Sequence, residues 1–185
     1  DKELGRFDVV IIPDFGHGFI TDKMIRVLEA KSKYMAVNTQ VNSGNRGYHA
    51  ISRYSRADLV TLNEPELRLA THNRHDSVEV LAEKVCKAVN AKHVSITRGT
   101  NGAITLSSDA NEIQRAPVLS TKVVDRIGAG DAFLSLAGIS LGAGLSSELT
   151  TFVASAAAAI DVQIVCNRDP ITPIDLYKYI TTLLK

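Results

Sequence analysis

Apolar positions along this chain change rhythm twice. Phe7 to Ile12 (FDVVII), Tyr34 to Asn38 and Asp58 to Leu62 are short, nearly continuous apolar runs. That is the pattern of strands buried on both faces of a parallel sheet. Between them the spacing is helical: Met24, Ile25, Val27 and Leu28 follow the cap residue Thr21, and Val78, Leu81, Ala82, Val85 and Val89 follow Asp76 or Ser77. From His93 the order becomes strand, turn, strand. His93 to Thr97 leads through Asn101-Gly102, a strong hairpin signal, into Ala103 to Leu106, and Glu112 to Ala116 and Lys122 to Val124 continue the series. Two helices follow. The first carries Phe133, Leu134, Leu136, Ala137, Ile139 and Leu141 with hardly a polar face, so it is predicted to be buried. The second, capped by Ser146 or Ser147, runs through the small residues of 152–160 with Ser155 as its one polar interruption. Thr172-Pro173-Ile174-Asp175 gives a cap, a proline at N1 and an acid in the first turn, which starts a final helix. The pattern predicts an α/β fold, a mostly parallel sheet flanked by helices with an antiparallel portion near residues 93–124. No repeat or linker divides it, so residues 1–185 read as a single domain or part of one.

Composition narrows the function classes. A net charge of +1 gives no basic face for nucleic acid, and the apolar runs are too short and interrupted for a membrane span. Cys86 and Cys166 supply neither a disulfide framework nor a zinc set, which favours a reducing, cytoplasmic setting. Cys86 borders a helical stripe and reads as a small core residue. His72 and His75 lack a third ligand at usable spacing and read as solvated. The chain opens Asp1-Lys2-Glu3, without Met and without a signal peptide, and is expected to be an excerpt of something longer.

The chemistry concentrates in Asp125-Arg126-Ile127-Gly128-Ala129-Gly130-Asp131-Ala132-Phe133. This glycine-rich turn places free N–H groups of Gly128, Ala129 and Gly130 at the positive end of a buried helix, beside the carboxylate of Asp131. An anion site next to a carboxylate suits phosphoryl transfer, the donors holding phosphate while the carboxylate takes a proton from the attacking hydroxyl. A tight turn with an N-terminal cap would use the same residues. Rival motifs fail: Phe133 stands where the dinucleotide fingerprint needs its third glycine, and no P-loop lysine motif occurs. Pro13-Asp14-Phe15-Gly16-His17-Gly18 sits where open α/β sheets bind ligands, while the polar stretch 39–47 reads as solvated surface, with ligand contact from a strand's end as the alternative. In Asn63-Glu64-Pro65-Glu66, Asn63 and Glu66 have the spacing of a capping box; the functional alternative faces them toward phosphate and magnesium through water.

Together these residues resemble the ribokinase-like (PfkB) carbohydrate kinases. The turn 125–133 is similar to the family's second signature, roughly D-T-x-G-A-G-D-x-F. The Asp14 to Gly18 loop, the N-x-x-E of Asn63 to Glu66, the stretch Thr97 to Ala103 and the alanine-rich helix with Ser155 appear in the family's order. The Asp14 loop is most similar to that of the heptose-phosphate kinases, with His17 where those usually carry lysine. The resemblance implies Asp131 as catalytic base and Gly128, Ala129 and Gly130 as the anion hole. It further implies Asn63 and Glu66 organising Mg²⁺ and phosphate, with Glu66 reaching the metal through water, Thr97 and Gly99 at the nucleotide's phosphates or ribose, and Ser155 near the adenine. Asp14, His17 and Arg126 are its candidates on the substrate side.

The implied reaction is ATP-dependent phosphorylation of a hydroxyl on a sugar or sugar phosphate. A vitamin or nucleoside kinase of the same fold, and a non-catalytic nucleotide-binding module, are the alternatives. Arg126 departs from the signature's small residue. Cys166-Asn167-Arg168 replaces the Gly-containing turn associated with a monovalent-cation site. The family's N-terminal part and lid have no counterpart in the sequence, so a homodimer or a missing N-terminal segment is the partner expected to complete the site.

Overall fold

The computed structural model describes residues 3–110 and 112–185. A six-stranded sheet runs in the order β1-β2-β3-β4-β5-β6, formed by β1 (Val9–Asp14), β2 (Tyr34–Thr39), β3 (Ala57–Asn63), β4 (Ala91–Thr97), β5 (Ala103–Ser107) and β6 (Glu112–Ala116). The first four strands are parallel, and β5 and β6 return antiparallel. Helices α1 (Asp22–Lys31), α2 (Glu64–Ala70) and α3 (Val78–Ala88) precede α4 (Ala129–Gly142), α5 (Ser147–Asp161) and α6 (Pro173–Leu183). The expected fold class is the observed one.

Alternation along the strands feeds two cores. Met35, Val37, Val60 and Leu62 pack with Ile25, Leu67, Leu81 and Val85, whereas Ala36 and Leu59 pack with Phe133, Leu134, Ala137 and Ala154. The sheet is thus buried on both faces, which is why β2 and β3 read as unbroken apolar runs. The small side chain of Ala36 leaves room for α4: a Cβ at Gly138 would meet Ala36 Cβ at 3.0 Å, and one at Gly142 would overlap Val9. Ordinary side chains there would lift the helix off the sheet.

Three boundaries differ from expectation. β1 begins at Val9 rather than Phe7 and continues through Pro13 to Asp14. An edge strand tolerates a residue without an N–H, and Phe7 is left 56% exposed. The β4–β5 turn is a five-residue connection with a short 3-10 segment, Gly99–Asn101, closed by Gly102 at φ +74°. A Cβ at Gly102 would run into the backbone of Ala116 and Pro117. The third is a correction: Lys122 to Val124 is not a strand, and the antiparallel portion ends at Ala116. Val123 and Val124 are half exposed, and the segment is tied instead to the end of α5, where Val124 N–H and Asp125 N–H both donate to Val162 O, at 2.8 and 3.1 Å.

Candidate active site

The direction of α4 decides where its first turn lies. Gly142 sits over Val9 and Tyr34, the first residues of β1 and β2, and Gly138 over Ile11 and Ala36 in their middles. The helix therefore runs against the strands. Asp131, seven residues before Gly138, lies about 10 Å further along the helix axis. Asp14 and Thr39 lie about 10 Å beyond Ile11 and Ala36 along the strands. The glycine-rich turn consequently stands at the C-terminal edge of the sheet, the edge at which open α/β sheets bind ligands.

Asp125 builds that turn. Its Oδ1 accepts the N–H of Ile127 at 3.0 Å and its Oδ2 the N–H of Cys166 at 2.9 Å. These backbone donors, Ile127 first, hold its carboxyl below the usual carboxylate range. Gly128 is the N-cap of α4 at φ +97°, and a Cβ there would overlap the side-chain amide of Asn167. It caps nothing with a side chain. By contrast Thr21, Asn63, Ser77, Ser146 and Thr172 each accept an N–H at the start of α1, α2, α3, α5 and α6. Among the described residues, no acceptor meets the N–H groups of Gly128, Ala129, Gly130 or Asp131. The carboxyl of Asp131 is half-buried and has no protein hydrogen-bond partner among the described residues; burial pushes its pKa up. Free donors and an unengaged, proton-avid carboxyl thus share one helical turn.

The neighbouring strand ends bring further expected residues to the same edge. Asn63 and Thr97 are directly paired at the ends of β3 and β4. Asn63 Oδ1 accepts Glu66 N–H at 2.8 Å and Glu66 Oε2 accepts Asn63 N–H at 2.9 Å, a complete capping box. Glu66 Oε1 also accepts Val41 N–H at 3.2 Å, tethering the loop after β2, and burial raises its pKa. Both of its oxygens are thereby engaged with backbone. Among the described residues no group of three His, Cys, Asp or Glu is placed to hold a metal ion. Gly99 follows at φ +55°. Beside it Arg98 reaches Glu64 at 3.4 Å. Ser155 is buried in α5 with its hydroxyl unpartnered.

The substrate-side candidates separate. Asp14 is 2% exposed and accepts Tyr54 Oη at 2.9 Å, Arg53 Nη1 at 3.3 Å and Gly16 N–H at 3.1 Å. It pins the loop rather than opening onto solvent. His17 is exposed, 3.2 Å from Asn42 Nδ2, and the Arg126 side chain is exposed with no hydrogen bond or ion pair among the described residues. Asn45, from the polar stretch 39–47, and His49, Arg53 and Tyr54, unremarked in the sequence, clasp the Asp14 loop. A Cβ at Gly16 would meet the His49 ring at 2.7 Å. Asp161 was likewise unremarked, and Asn167 appeared only as part of the turn that replaces the family's Gly-containing one. Neither role shows a local signal, because the partners lie thirty or more residues away in sequence. Asp125 was readable, since an Asp two residues before a turn N–H is an Asx-turn.

Comparison with known proteins follows the same lines. A model of the pfkB family carbohydrate kinases matches residues 14–171. The bifunctional protein HldE of Nitrobacter hamburgensis is 33% identical over 165 residues, covering 86% of this chain and 32% of that protein. The chain spans about a third of the length of the curated relatives it matches. Escherichia coli phosphofructokinase-2 in complex with substrates and products superposes with a TM-score of 0.78 at 17% identity, covering all of this chain and 61% of that one. Arabidopsis thaliana ribokinase complexed with ribose and ATP gives 0.72 at 18%, covering 96% and 57%. At these identities the superpositions speak for the fold.

Proposed function

Because the chain belongs to the pfkB family of carbohydrate kinases, we propose that it transfers the γ-phosphoryl group of ATP to a hydroxyl of a sugar or sugar phosphate, with Asp131 as base. The observation that carries this reading is the first turn of α4, the helix that starts without a side-chain cap and leaves its N–H groups beside an unengaged carboxyl. Asp131 takes the proton from the acceptor hydroxyl as its oxygen bonds to the γ-phosphorus, the bond from that phosphorus to the bridging oxygen breaks, and ADP leaves. Gly128, Ala129 and Gly130 direct their N–H groups at the charge that builds on the transferring group, and preorganised donors of this kind supply much of such catalysis. Thr97, paired with Asn63 at the strand ends, and Gly99 just beyond it are the residues that receive the nucleotide in this reading.

Magnesium does not fit as a protein-caged ion here, because both oxygens of Glu66 hold backbone N–H groups and no three-ligand group exists among the described residues. It enters this reading only as the ion that accompanies nucleotide phosphates in the family, and no step is routed through it. The acceptor pocket and the activity of the whole protein are proposals, given the share of its relatives that the chain spans. The test is Asp131→Asn. Turnover should fall about 10²- to 10⁴-fold, the usual worth of a general base, with ATP affinity retained; unchanged turnover overturns the assignment. ATP binding in a protein that phosphorylates no sugar, sugar phosphate, vitamin alcohol or nucleoside would instead favour a binding module.

A further inference from the structure

The loop that leaves β1 is sewn to the loop that leaves β2, and the contacts fix the proton on one exposed histidine. Asn42 Oδ1 accepts the N–H groups of Gly44 and Asn45, at 2.9 and 3.1 Å. The amide nitrogen is thereby turned the other way, to Phe15 O at 3.0 Å and His17 Nε2 at 3.2 Å. The reverse orientation would set oxygen against the Phe15 carbonyl and N–H against two N–H groups, so the network assigns the amide. An amide nitrogen only donates, and His17 Nε2 must therefore accept. The proton of the neutral imidazole is on Nδ1. That nitrogen meets no protein acceptor among the described residues, and the ring is exposed, with Phe15 stacked on it at 6.5 Å between centroids. His49 is held in the opposite tautomer. Its Nε2 lies 3.0 Å from Asp14 O and must donate, while its Nδ1, 3.3 Å from Arg53 Nη1, must accept. Both nitrogens of the buried histidine are thus used by the fold, and one N–H of the exposed one is left over.

The place of that donor is set as well. Thr39 pairs with Asp14, and Gln40 N–H donates to Asp14 O at 2.9 Å, so the two loops crown the ends of β1 and β2. α4 lies over the same two strands with its first turn toward those ends. An acceptor whose hydroxyl reaches Asp131 meets this edge.

We propose that His17 determines acceptor specificity as a neutral donor: its Nδ1–H hydrogen-bonds a hydroxyl of the sugar, not a phosphate, and Asn42 is the positioning residue that sets the tautomer. The inference rests on the reading of Asp131 as base. A phosphate gains most from a cationic donor. His17 becomes a cation only by putting a second proton on Nε2, where it would face the N–H of Asn42. A hydroxyl needs one neutral donor and leaves that contact intact.

The first measurement is long-range proton–nitrogen NMR of the His17 imidazole at mildly alkaline pH. The wild type should show a protonated Nδ1 and a bare Nε2. Asn42→Asp keeps an acceptor for Gly44 and Asn45 but turns a second oxygen to the ring, so the proton should move to Nε2; Asn42→Ala should lose the preference. Any other state of the wild-type ring, or an unchanged ring in both variants, overturns the proposal. Binding is then followed with inorganic phosphate and with a panel of pentoses, hexoses and heptoses, each beside its terminal phosphate ester. At least one unphosphorylated sugar should shift the His17 ring nitrogens saturably, and inorganic phosphate should not. His17→Lys should move the preference toward the phosphate ester by at least about fivefold, the usual margin of a charged over a neutral hydrogen bond. Phosphate shifting the ring, no sugar shifting it, or an unchanged preference in His17→Lys overturns the proposal. If Asp131→Asn turns over like the wild type, or no acceptor is phosphorylated, the kinase reading fails, while the ring spectra and the sugar titrations still decide the role of His17.

Discussion

Replacing Gly128 with alanine tests whether the turn at the start of α4 is set by backbone geometry. At φ +97° and ψ −25° an L-residue pays the left-handed penalty of about 1–2 kcal/mol. The added Cβ also falls on the carboxamide of Asn167. Asn167 has little freedom to retreat, because it is itself held at φ +52° and the preceding Cys166 N–H is tied to Asp125. Forcing a methyl into an occupied position typically adds about 1–3 kcal/mol, so Gly128→Ala should lose about 3 kcal/mol in urea unfolding followed by circular dichroism. Adding Asn167→Gly should relieve the clash and leave the backbone penalty. Gly130→Ala is the contrast: its φ is not left-handed and a Cβ there would meet nothing within 4 Å. Stability should then hold or rise by about 0.5–1 kcal/mol, as for other helical glycines, while ATP affinity falls because the methyl stands before the donors. A Gly128→Ala protein within about 0.5 kcal/mol of wild type, the ordinary range for surface substitutions, would refute the reasoning.

Other expectations follow from the same contacts. Asp14→Ala strips a buried carboxylate from Tyr54 and Arg53 and should cost about 3–5 kcal/mol in chemical unfolding, against about 1 kcal/mol for Tyr54→Phe, which leaves the Arg53 pairing intact. For Asp161 the folded-state pKa is raised, by burial first and then by Asp131 and Asp125. Its stabilising share is present below the unfolded pKa of about 3.9 and is lost as pH rises through the folded value. Asp161→Asn should therefore equal wild type in acid and exceed it at neutral pH, in parallel thermal melts at the two pH values. Each pH unit between the folded and unfolded titrations of Asp161 contributes about 1.4 kcal/mol to that gap. A constant difference across pH would show that the charge is not the source of the cost.

The sequence declared its parallel half because burial on both faces leaves few polar interruptions, and its helices because Thr21, Ser77, Ser146 and Thr172 are local caps. The reach of the cap at Asn63 and Glu66 was legible too, although the tether from Glu66 to Val41 was not. Local pattern failed where long-range contacts decide. Lys122 to Val124 has strand-like residues but no strand edge to join, and Val162 captures its end instead. The clasp around Asp14 depends on a histidine, an arginine and a tyrosine some forty residues later. Asn167 against Gly128, and Val162 O on the N–H groups of Val124 and Asp125, arise where the end of α5 and the segment after it meet the turn. Spacing therefore left the turn and its carboxyl open between an anion site and a plain cap, and it showed none of the residues that shape the turn.

The most direct measurement is an amide NMR titration of the chain with Mg-ATP. The expected result is saturable binding with the largest shifts at Gly128, Ala129, Gly130 and Asp131, and smaller ones at Thr97 and Gly99. No binding, or saturable binding whose shifts leave the first turn of α4 untouched, would contradict it.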